Sequence, residues 1–283
     1  NWPQFRGPGG SGLGADDAAL PSEFGPQKAL LWKTPLPLGH GSPSIWGDRI
    51  FVTAFDKPDA RLELIALDRA TGKIVWRQAV TPRELEKVHA VSSPATSTPV
   101  TDGRHIYVYY GSQGLLAYDW TGKLAWEFPL PVSQVPNGSG VSPVLAGDIV
   151  LLNRDYMPEP ELLAVSRVTG KLRWKAALPQ PTTMGPKASH ATPLVWKDEV
   201  LLHRPGELAA YALQDGARRW WVRMSTQGTS TPVVSQDAVY LARFDLGEPD
   251  GAPPLPPFSA VLEKYDRDKD AKISADEAPQ NDL

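Results

Sequence analysis

The sequence lacks several features, and each absence excludes a class of chemistry. None of the 283 residues is cysteine, which excludes disulfides, thiolate metal ligands, a cysteine nucleophile and c-type haem attachment but does not fix the redox compartment. The charges nearly balance, with 29 Lys and Arg against 32 Asp and Glu, so no basic field would attract a nucleic acid. Apolar runs fall short of the roughly 18 residues of a membrane span, and residues 1–8 lack a signal-peptide pattern. We therefore expect no nucleic-acid partner and no membrane span.

Proline and tryptophan, in contrast, are abundant, with 29 and 10 residues. Proline at about twice its average usage, without a collagen-like period, predicts many short elements joined by rigid turns. Four tryptophans end a repeated segment in which Trp follows Gly by four residues: Ala66–Trp76, Ala117–Trp126, Ala164–Trp174 and Ala210–Trp220. These tryptophans are 50, 48 and 46 residues apart, slightly more than the roughly 40 to 45 residues of common propeller blades.

Each repeat predicts a β-hairpin, because an alternating run ends at the Ala, a Gly-containing turn follows, and a second run carries the Trp. Upstream of each hairpin, a Ser-Pro or Thr-Pro pair opens two further strand signals; these pairs begin at Ser42, Thr98, Ser142 and Thr192, and a fifth begins at Thr231. The pattern predicts units of four antiparallel strands. Because a lone four-stranded sheet cannot bury both faces, side-by-side repetition predicts a β-propeller. We expect the tryptophans to be buried where one blade seals against the next.

At these residues the sequence resembles the pyrroloquinoline-quinone (PQQ) repeat family, whose blades carry the pattern Ala-x-Asp-x-x-Thr-Gly-x-x-x-Trp. The resemblance covers about residues 30–245. It implies an all-β fold, a propeller of seven or eight four-stranded blades, of which about four and a half are present here, so that we expect the sequence to be incomplete. The opening Asn1–Pro8 looks like the mature start of exported bacterial members. The resemblance therefore implies a periplasmic or secreted location.

The expected organisation has four parts: an extended N-terminal segment at 1–29, propeller blades at 30–246, a proline-rich linker at 247–257 and a calcium-binding segment at 258–283. Residues 30–34 contain Trp32 but follow no hairpin. We predict that they form a strand of a blade other than the first, closing the ring as the last strand of the final blade.

The calcium prediction rests on an acidic loop that follows apolar residues at helical spacing in 258–265. Six residues offer oxygen ligands at the spacing of an EF-hand: Asp266, Asp268, Asp270, Lys272 through its backbone carbonyl, Ser274 and Glu277. Ala271 departs from the pattern at the sixth position, where the turn needs positive φ and a Cβ costs roughly 1 kcal/mol. We predict that the loop binds one calcium ion in a small helical insertion. The alternative is a solvated acidic run.

The histidines give a weaker signal. His40 and His190 each lie three residues before the proline that opens a blade, near the expected mouth of the ring. They belong to blades one and four, which would be nearly opposite, so a shared metal is not expected. We interpret His89, His105 and His203 as surface or strand histidines. No phosphate-binding loop, nucleophile elbow or His-Glu-x-x-His motif is present.

Two functional hypotheses follow. The first is a non-catalytic exported propeller that binds a protein or glycan partner on its loops, with calcium stiffening the helical arm. The alternative is a quinone-dependent dehydrogenase with PQQ and calcium on the propeller axis and an Asp as base, since the family includes quinoprotein alcohol dehydrogenases as well as scaffolds. The family's enzymes typically carry an adjacent-cysteine disulfide, which this chain lacks, and this favours the binding module. The resemblance places no catalytic residue.

Overall fold

A computed structural model describes residues 1–14, 21–135, 137–156, 158–180, 188–242, 258–271, 273 and 277. The chain divides into two compact units, Asn1–Phe244 and Asp245–Leu283. Among these described residues, no helix is long and apolar enough to cross a membrane.

Three antiparallel four-stranded sheets form the first three blades, and in each the strands lie in sequence order. The first blade contains β1 (Ser44–Trp46), β2 (Arg49–Asp56), β3 (Arg61–Asp68) and β4 (Ile74–Val80). The second contains β5 (Val100–Thr101), β6 (His105–Tyr110), β7 (Gly114–Asp119) and β8 (Leu124–Pro129). The third contains β9 (Val144–Ala146), β10 (Ile149–Arg154), β11 (Glu161–Ser166) and β12 (Leu172–Ala177). This architecture confirms the predicted β-propeller blades.

The fourth blade follows the same path, although its two middle strands form one continuous assigned segment. It contains β13 (Leu194–Trp196), β14 (Glu199–Ala212) and β15 (Arg218–Gln227), and β14 covers the sequence of both middle strands. Only Pro205 and Gly206 separate those two halves, whereas Lys57–Ala60 separate β2 from β3. The chain reverses within β14, because the Leu213 N–H donates to the Asp198 carbonyl at 2.9 Å across its two ends. A fifth sheet has two strands, β16 (Val233–Val234) and β17 (Val239–Tyr240), and the second unit contains helix α1 (Phe258–Tyr265).

The repeated tryptophans occupy equivalent positions in four sheets. Each lies on the outermost strand, opposite the alanine that begins its repeat, in the pairs Ala66 with Trp76, Ala117 with Trp126, Ala164 with Trp174 and Ala210 with Trp220. A register shift follows each of these alanines. The four side chains are half-buried rather than buried, because the outermost strand lies at the rim of the sheet and leaves part of each indole in solvent.

The core lies between successive sheets. One cluster joins the first and second blades around Phe51, Leu64 and Ile106, and a second joins the second and third blades around Tyr107 and Val150. A third cluster joins the third and fourth blades. The first strands β1, β5 and β9 also contact one another in turn, and we therefore identify the first strand of each sheet as the innermost, next to the propeller axis.

Trp32 lies against the first blade as Trp76, Trp126 and Trp174 each lie against the blade that follows. Its indole N–H donates to the Arg69 carbonyl at 2.9 Å, and a Cβ on Gly72 would lie 2.3 Å from its ring. Trp76 makes the same pair of contacts with the Trp120 carbonyl and Gly122 of the second blade. Residues 30–34 form no assigned strand in the structure, but the indole occupies the position expected for a blade that precedes the first.

Candidate functional site

The acidic loop begins where α1 ends. The Asp266 N–H donates to the Leu262 carbonyl at 2.9 Å, which continues the helical hydrogen bonding into the loop. Carboxylate oxygens of Asp266, Asp268 and Asp270 then lie within 4.8 Å of one another. Asp266 Oδ2 accepts the Ala271 N–H at 2.9 Å, whereas Asp266 Oδ1 is buried without a hydrogen-bond partner. Three carboxylates with one orphaned oxygen fit the oxygen ligands that calcium prefers.

Two further features agree with a metal-binding loop. Glu277 Oε1 accepts the N–H of Arg267 at 2.7 Å and that of Asp268 at 3.3 Å. The glutamate at the end of the loop therefore bonds to the backbone at the start of the loop. Ala271 adopts φ 63°, the left-handed conformation that the loop pattern requires at this position. The Asp270 N–H lowers the pKa of Asp268, but desolvation and the charges of Asp270 and Glu277 outweigh it and raise that pKa. The predicted ligands Lys272 and Ser274 lie outside the described residues.

The propeller has a second group of polar side chains, in the connections that lead into the first strand of each blade. We call the face that carries these connections the loop face. A ladder of hydroxyls links the innermost strands there. The Ser42 N–H donates to Thr98 Oγ1 at 3.0 Å, the Thr98 N–H to Ser142 Oγ at 3.0 Å, and the Ser142 N–H to Thr192 Oγ1 at 3.2 Å. The Ser-Pro and Thr-Pro pairs found in the sequence therefore join each blade to the next.

The histidines occupy separate places on this face. His40 Nδ1 is 3.0 Å from Ser93 Oγ of the following connection, while a Cβ on Gly140 would lie 3.3 Å from His190 Nδ1. Each of these two rings thus faces a neighbouring blade, and burial lowers the pKa of His190. His203 uses both ring nitrogens, which lie 2.8 Å from the Ser230 carbonyl and 2.7 Å from Thr226 Oγ1. These contacts are structural.

The sequence did not predict a buried ion pair that lies at the end of β10. Arg204 donates through Nε to Asp155 Oδ2 at 2.8 Å and through Nη2 to Asp155 Oδ1 at 3.0 Å. The side chains are 2% and 0% exposed. Burial raises the pKa of Asp155 and Arg204 opposes that rise. Arg204 also donates to Glu207 at 2.7 Å and to the Pro179 carbonyl at 2.6 Å. No sequence spacing relates Asp155 to Arg204, because they belong to different blades.

Glu86 was also missed, and it has a different environment. Its Oε2 accepts the Ser139 N–H at 2.8 Å, and its own N–H donates to Ser112 Oγ at 2.9 Å. Its Oε1 is buried without a hydrogen-bond partner, and burial raises the pKa of the carboxyl, opposed by hydrogen bonds from Ser139 and Gly111. A Cβ on Gly111 would lie 2.4 Å from Oε2, so the carboxylate fills the space that a larger residue would need. The only sequence signal was this glycine at the end of an apolar strand.

Four-stranded blades joined by hydroxyl ladders and outer tryptophans define a β-propeller of repeated units. Residues 22–249 match the model of the PQQ_2 family, which is described as outer membrane protein assembly factor BamB. The match covers more than half of the chain, and the chain therefore belongs to this family of PQQ-type repeat propellers.

Curated relatives match shorter segments. The dehydrogenase subunit of a quinone alcohol dehydrogenase from Gluconobacter oxydans is 30% identical over 118 residues, which cover 39% of this chain and 14% of that protein. The quinohemoprotein alcohol dehydrogenase ADH IIB from Pseudomonas putida is 38% identical over 92 residues, which cover 30% of this chain and 12% of that protein. The chain thus matches only a small part of the length of these relatives.

Two solved structures are similar in fold. A europium-containing methanol dehydrogenase superposes with a TM-score of 0.55 at 15% identity, over 72% of this chain and 46% of that chain. BamB from Moraxella catarrhalis superposes with a TM-score of 0.50 at 16% identity, over 75% and 60% of the two chains. At these identities the likeness establishes the propeller fold and leaves activity to be argued from the residues.

Proposed function

We propose that this chain is an exported β-propeller, periplasmic or secreted, that acts as a binding or scaffold module. Its loop face would bind a protein or glycan partner, and its acidic loop would bind calcium. The family description as an outer membrane assembly factor supports both the location and the scaffold role. A propeller suits this role because its repeated connections form one broad surface on a rigid ring.

The observation that carries this proposal is the internal pairing of Asp155 with Arg204. A general base must lie within hydrogen-bond reach of the substrate proton that it abstracts. Both oxygens of Asp155 accept hydrogen bonds from the same guanidinium, and the side chain is fully buried. This buried carboxylate is therefore committed to holding two blades together, which suits a scaffold better than a catalyst.

Two observations support the calcium site. Asp266 Oδ1 is buried without a hydrogen-bond partner, and Glu277 Oε1 accepts the N–H groups of Arg267 and Asp268. Calcium would be held by Asp266, Asp268, Asp270 and Glu277, together with the Lys272 carbonyl and Ser274. Bringing three carboxylates within 4.8 Å of one another is unfavourable without a cation. A bound Ca²⁺ would neutralise this repulsion and order the arm.

Calorimetry with metal-free protein tests the calcium site. We expect one binding event for the wild type and at least about tenfold weaker binding for Glu277→Gln, which loses one carboxylate oxygen and its charge. Glu263→Gln is the matched control, since Glu263 is exposed on α1 outside the loop, and its affinity should equal that of the wild type. A flat wild-type titration up to about a millimolar calcium, the weak end of known modules, would contradict the site.

Glu86 favours a second candidate function, a quinone-dependent dehydrogenase. One oxygen of this buried carboxyl has no partner and its pKa is raised, which are properties of groups that serve as acids or bases. The matched segments of quinone alcohol dehydrogenases point the same way. When bound, PQQ would supply the two-electron acceptor for alcohol oxidation.

An absorbance titration with PQQ, in the presence of calcium, separates the two candidates. For a scaffold we expect no saturable change in the quinone spectrum and no alcohol-dependent reduction of a dye. A saturable change that is lost in Glu86→Gln, with dye reduction in the wild type, would replace the scaffold proposal with the dehydrogenase. The calcium titration is independent of this outcome.

A further inference from the structure

The first twelve residues, Asn1–Gly12, which we call the strap, lie along the innermost strands of the propeller. The Trp2 N–H donates to the Ile45 carbonyl at 2.7 Å and the Ile45 N–H donates to the Trp2 carbonyl at 2.8 Å. This is an antiparallel bridge to the edge of β1 that β2 does not use. The strap thus adds a short piece of strand on the axis side of the first blade.

The strap also reaches two other blades. The Thr101 N–H of β5 donates to the Pro3 carbonyl at 2.9 Å. A short 3-10 helix at Pro8–Gly10 contacts β13, where a Cβ on Gly10 would lie 2.9 Å from Leu194 Cδ1. One segment therefore joins the innermost strands of the first, second and fourth blades, which are not all neighbours in the ring. Its place is across the axis of the propeller.

The strap is folded by its own hydrogen bonds. The Gly7 N–H donates to the Gln4 carbonyl at 2.9 Å and the Gly12 N–H to the Arg6 carbonyl at 2.7 Å. Gly7 has φ 71°, and a Cβ there would lie 2.6 Å from the Trp2 ring. Trp2 therefore packs on the strap's own turn while its backbone bonds to β1. A segment preorganised in this way loses little entropy on docking.

We propose that the axis side of β1, with Thr101 of β5 and Leu194 of β13, is a peptide-docking groove that holds the strap in cis and accepts the same segment in trans. The occupant is the strap segment itself, with Asn-Trp-Pro at residues 1–3. Its affinity comes from main-chain bonds to a strand edge, as in β-strand addition. Its specificity comes from Asn1 Oδ1, which accepts the Gly47 N–H at 2.8 Å, and from the turn in which the Trp2 ring packs on Gly7. Pro3 is compatible because it contributes only its carbonyl.

The test uses the full chain and a dye-labelled peptide of residues 1–12. We expect the Trp2→Ala chain, in which the cis strap is weakened, to bind the peptide saturably in fluorescence anisotropy. The wild-type chain should bind it at least about tenfold more weakly, because its own strap competes. The matched control is the same peptide methylated on the Trp2 backbone nitrogen, which removes the donor to Ile45 and should lower affinity by about tenfold or more.

The groove is wrong if the folded Trp2→Ala chain does not bind the peptide, or binds the methylated peptide equally well. Should Trp2→Ala fail to fold, Asn1→Ala replaces it, since Asn1 is exposed and its loss removes only the bond to Gly47. That chain should then bind the peptide more tightly than the wild type does, and equal affinities would overturn the proposal. A concentration-dependent dimer that excess peptide disperses would support the groove with a second copy's strap as occupant.

Discussion

The indole ring of Trp76 lies on Gly122 of the next blade, where a Cβ would come within 2.8 Å of the ring. The same contact recurs between Trp126 and Gly170 and between Trp174 and Gly216. Two constraints therefore favour glycine at position 122. Gly122 has φ 90° in its own turn, and a Cβ there would meet the Trp76 ring of the preceding blade.

Gly122→Ala should destabilise the propeller by more than the cost of positive φ alone. The matched control is Gly147→Ala, because Gly147 has φ 57° and no atom within 4 Å of an added Cβ. We expect about 1 to 2 kcal/mol for the control and roughly 1 to 3 kcal/mol more for Gly122→Ala, since Trp76 must also move. Urea unfolding of both variants measures the difference. Equal losses would show that the contact with Trp76 is unimportant.

Trp76→Phe should cost about 1 to 2 kcal/mol of unfolding free energy. The smaller ring still covers Gly122, but it cannot donate to the Trp120 carbonyl, now 3.1 Å from the indole nitrogen, and that carbonyl loses a partner. Thermal unfolding of the variant and the wild type at one pH measures the loss. A variant as stable as the wild type would mean that the hydrogen bond contributes nothing between blades.

Arg204→Met should destabilise the chain by about 3 to 5 kcal/mol, because it leaves Asp155 buried without its guanidinium. Adding Asp155→Asn should recover part of this loss, which a double-mutant cycle in urea measures. Arg219→Met is the matched control, since Arg219 pairs with Asp198 at 2.6 Å but both side chains are exposed, and it should change stability little. Equal effects of the two arginine substitutions would contradict a structural role for the buried pair.

Glu86→Gln should change how stability depends on pH. Burial raises the pKa of Glu86 in the folded state above its ordinary value of 4.5, so the folded chain holds this proton at a pH where the unfolded chain has released it. Stability from the protonated carboxyl is therefore present below pH 4.5 and lost as pH rises through the folded-state pKa. The stability of Glu86→Gln relative to wild type should increase over that range in unfolding curves measured between pH 4 and 8. A constant difference would contradict the raised pKa.

Ala271→Gly should strengthen calcium binding by a few-fold. Ala271 has φ 63°, a conformation that costs a residue with a Cβ roughly 1 kcal/mol and costs glycine little. Ala60→Gly is the control, since Ala60 has φ 51° in the turn between β2 and β3, which is not part of the acidic loop. Calorimetry should show tighter binding for the first variant only. Unchanged affinity in both would mean that the loop conformation does not limit binding.

The sequence predicted the blades well because their signals are local. The hairpin at each repeat and the opposition of Ala66 and Trp76 follow from strand alternation and a glycine turn within a dozen residues. The acidic loop was also local, and Ala271 has the positive φ that the pattern required. The sequence did not predict the half-burial of Trp76, because the part of the indole that stays in solvent depends on where the outermost strand ends.

Contacts between distant residues could not be read from the sequence. Asp155 and Arg204 pair across two blades, and Glu86 reaches Ser139 across two connections. Nothing in their spacing distinguishes them from the many exposed charges of the chain. The strap was expected only as an extended segment, since its bonds to β1 and β5 use backbone atoms, which every residue type except proline supplies in the same way.

The hydroxyl ladder gives the second and third blades the same acceptor on one side and the same donor on the other. Thr98 and Ser142 are interchangeable in this respect, because the hydroxyl of each accepts from the preceding unit while its N–H donates to the following one. A gene duplication that inserts one whole unit would therefore preserve these hydrogen bonds at the new boundaries between units. Rings with different numbers of blades could then arise from a common ancestor by copying, with the curvature of the sheets alone deciding which number closes.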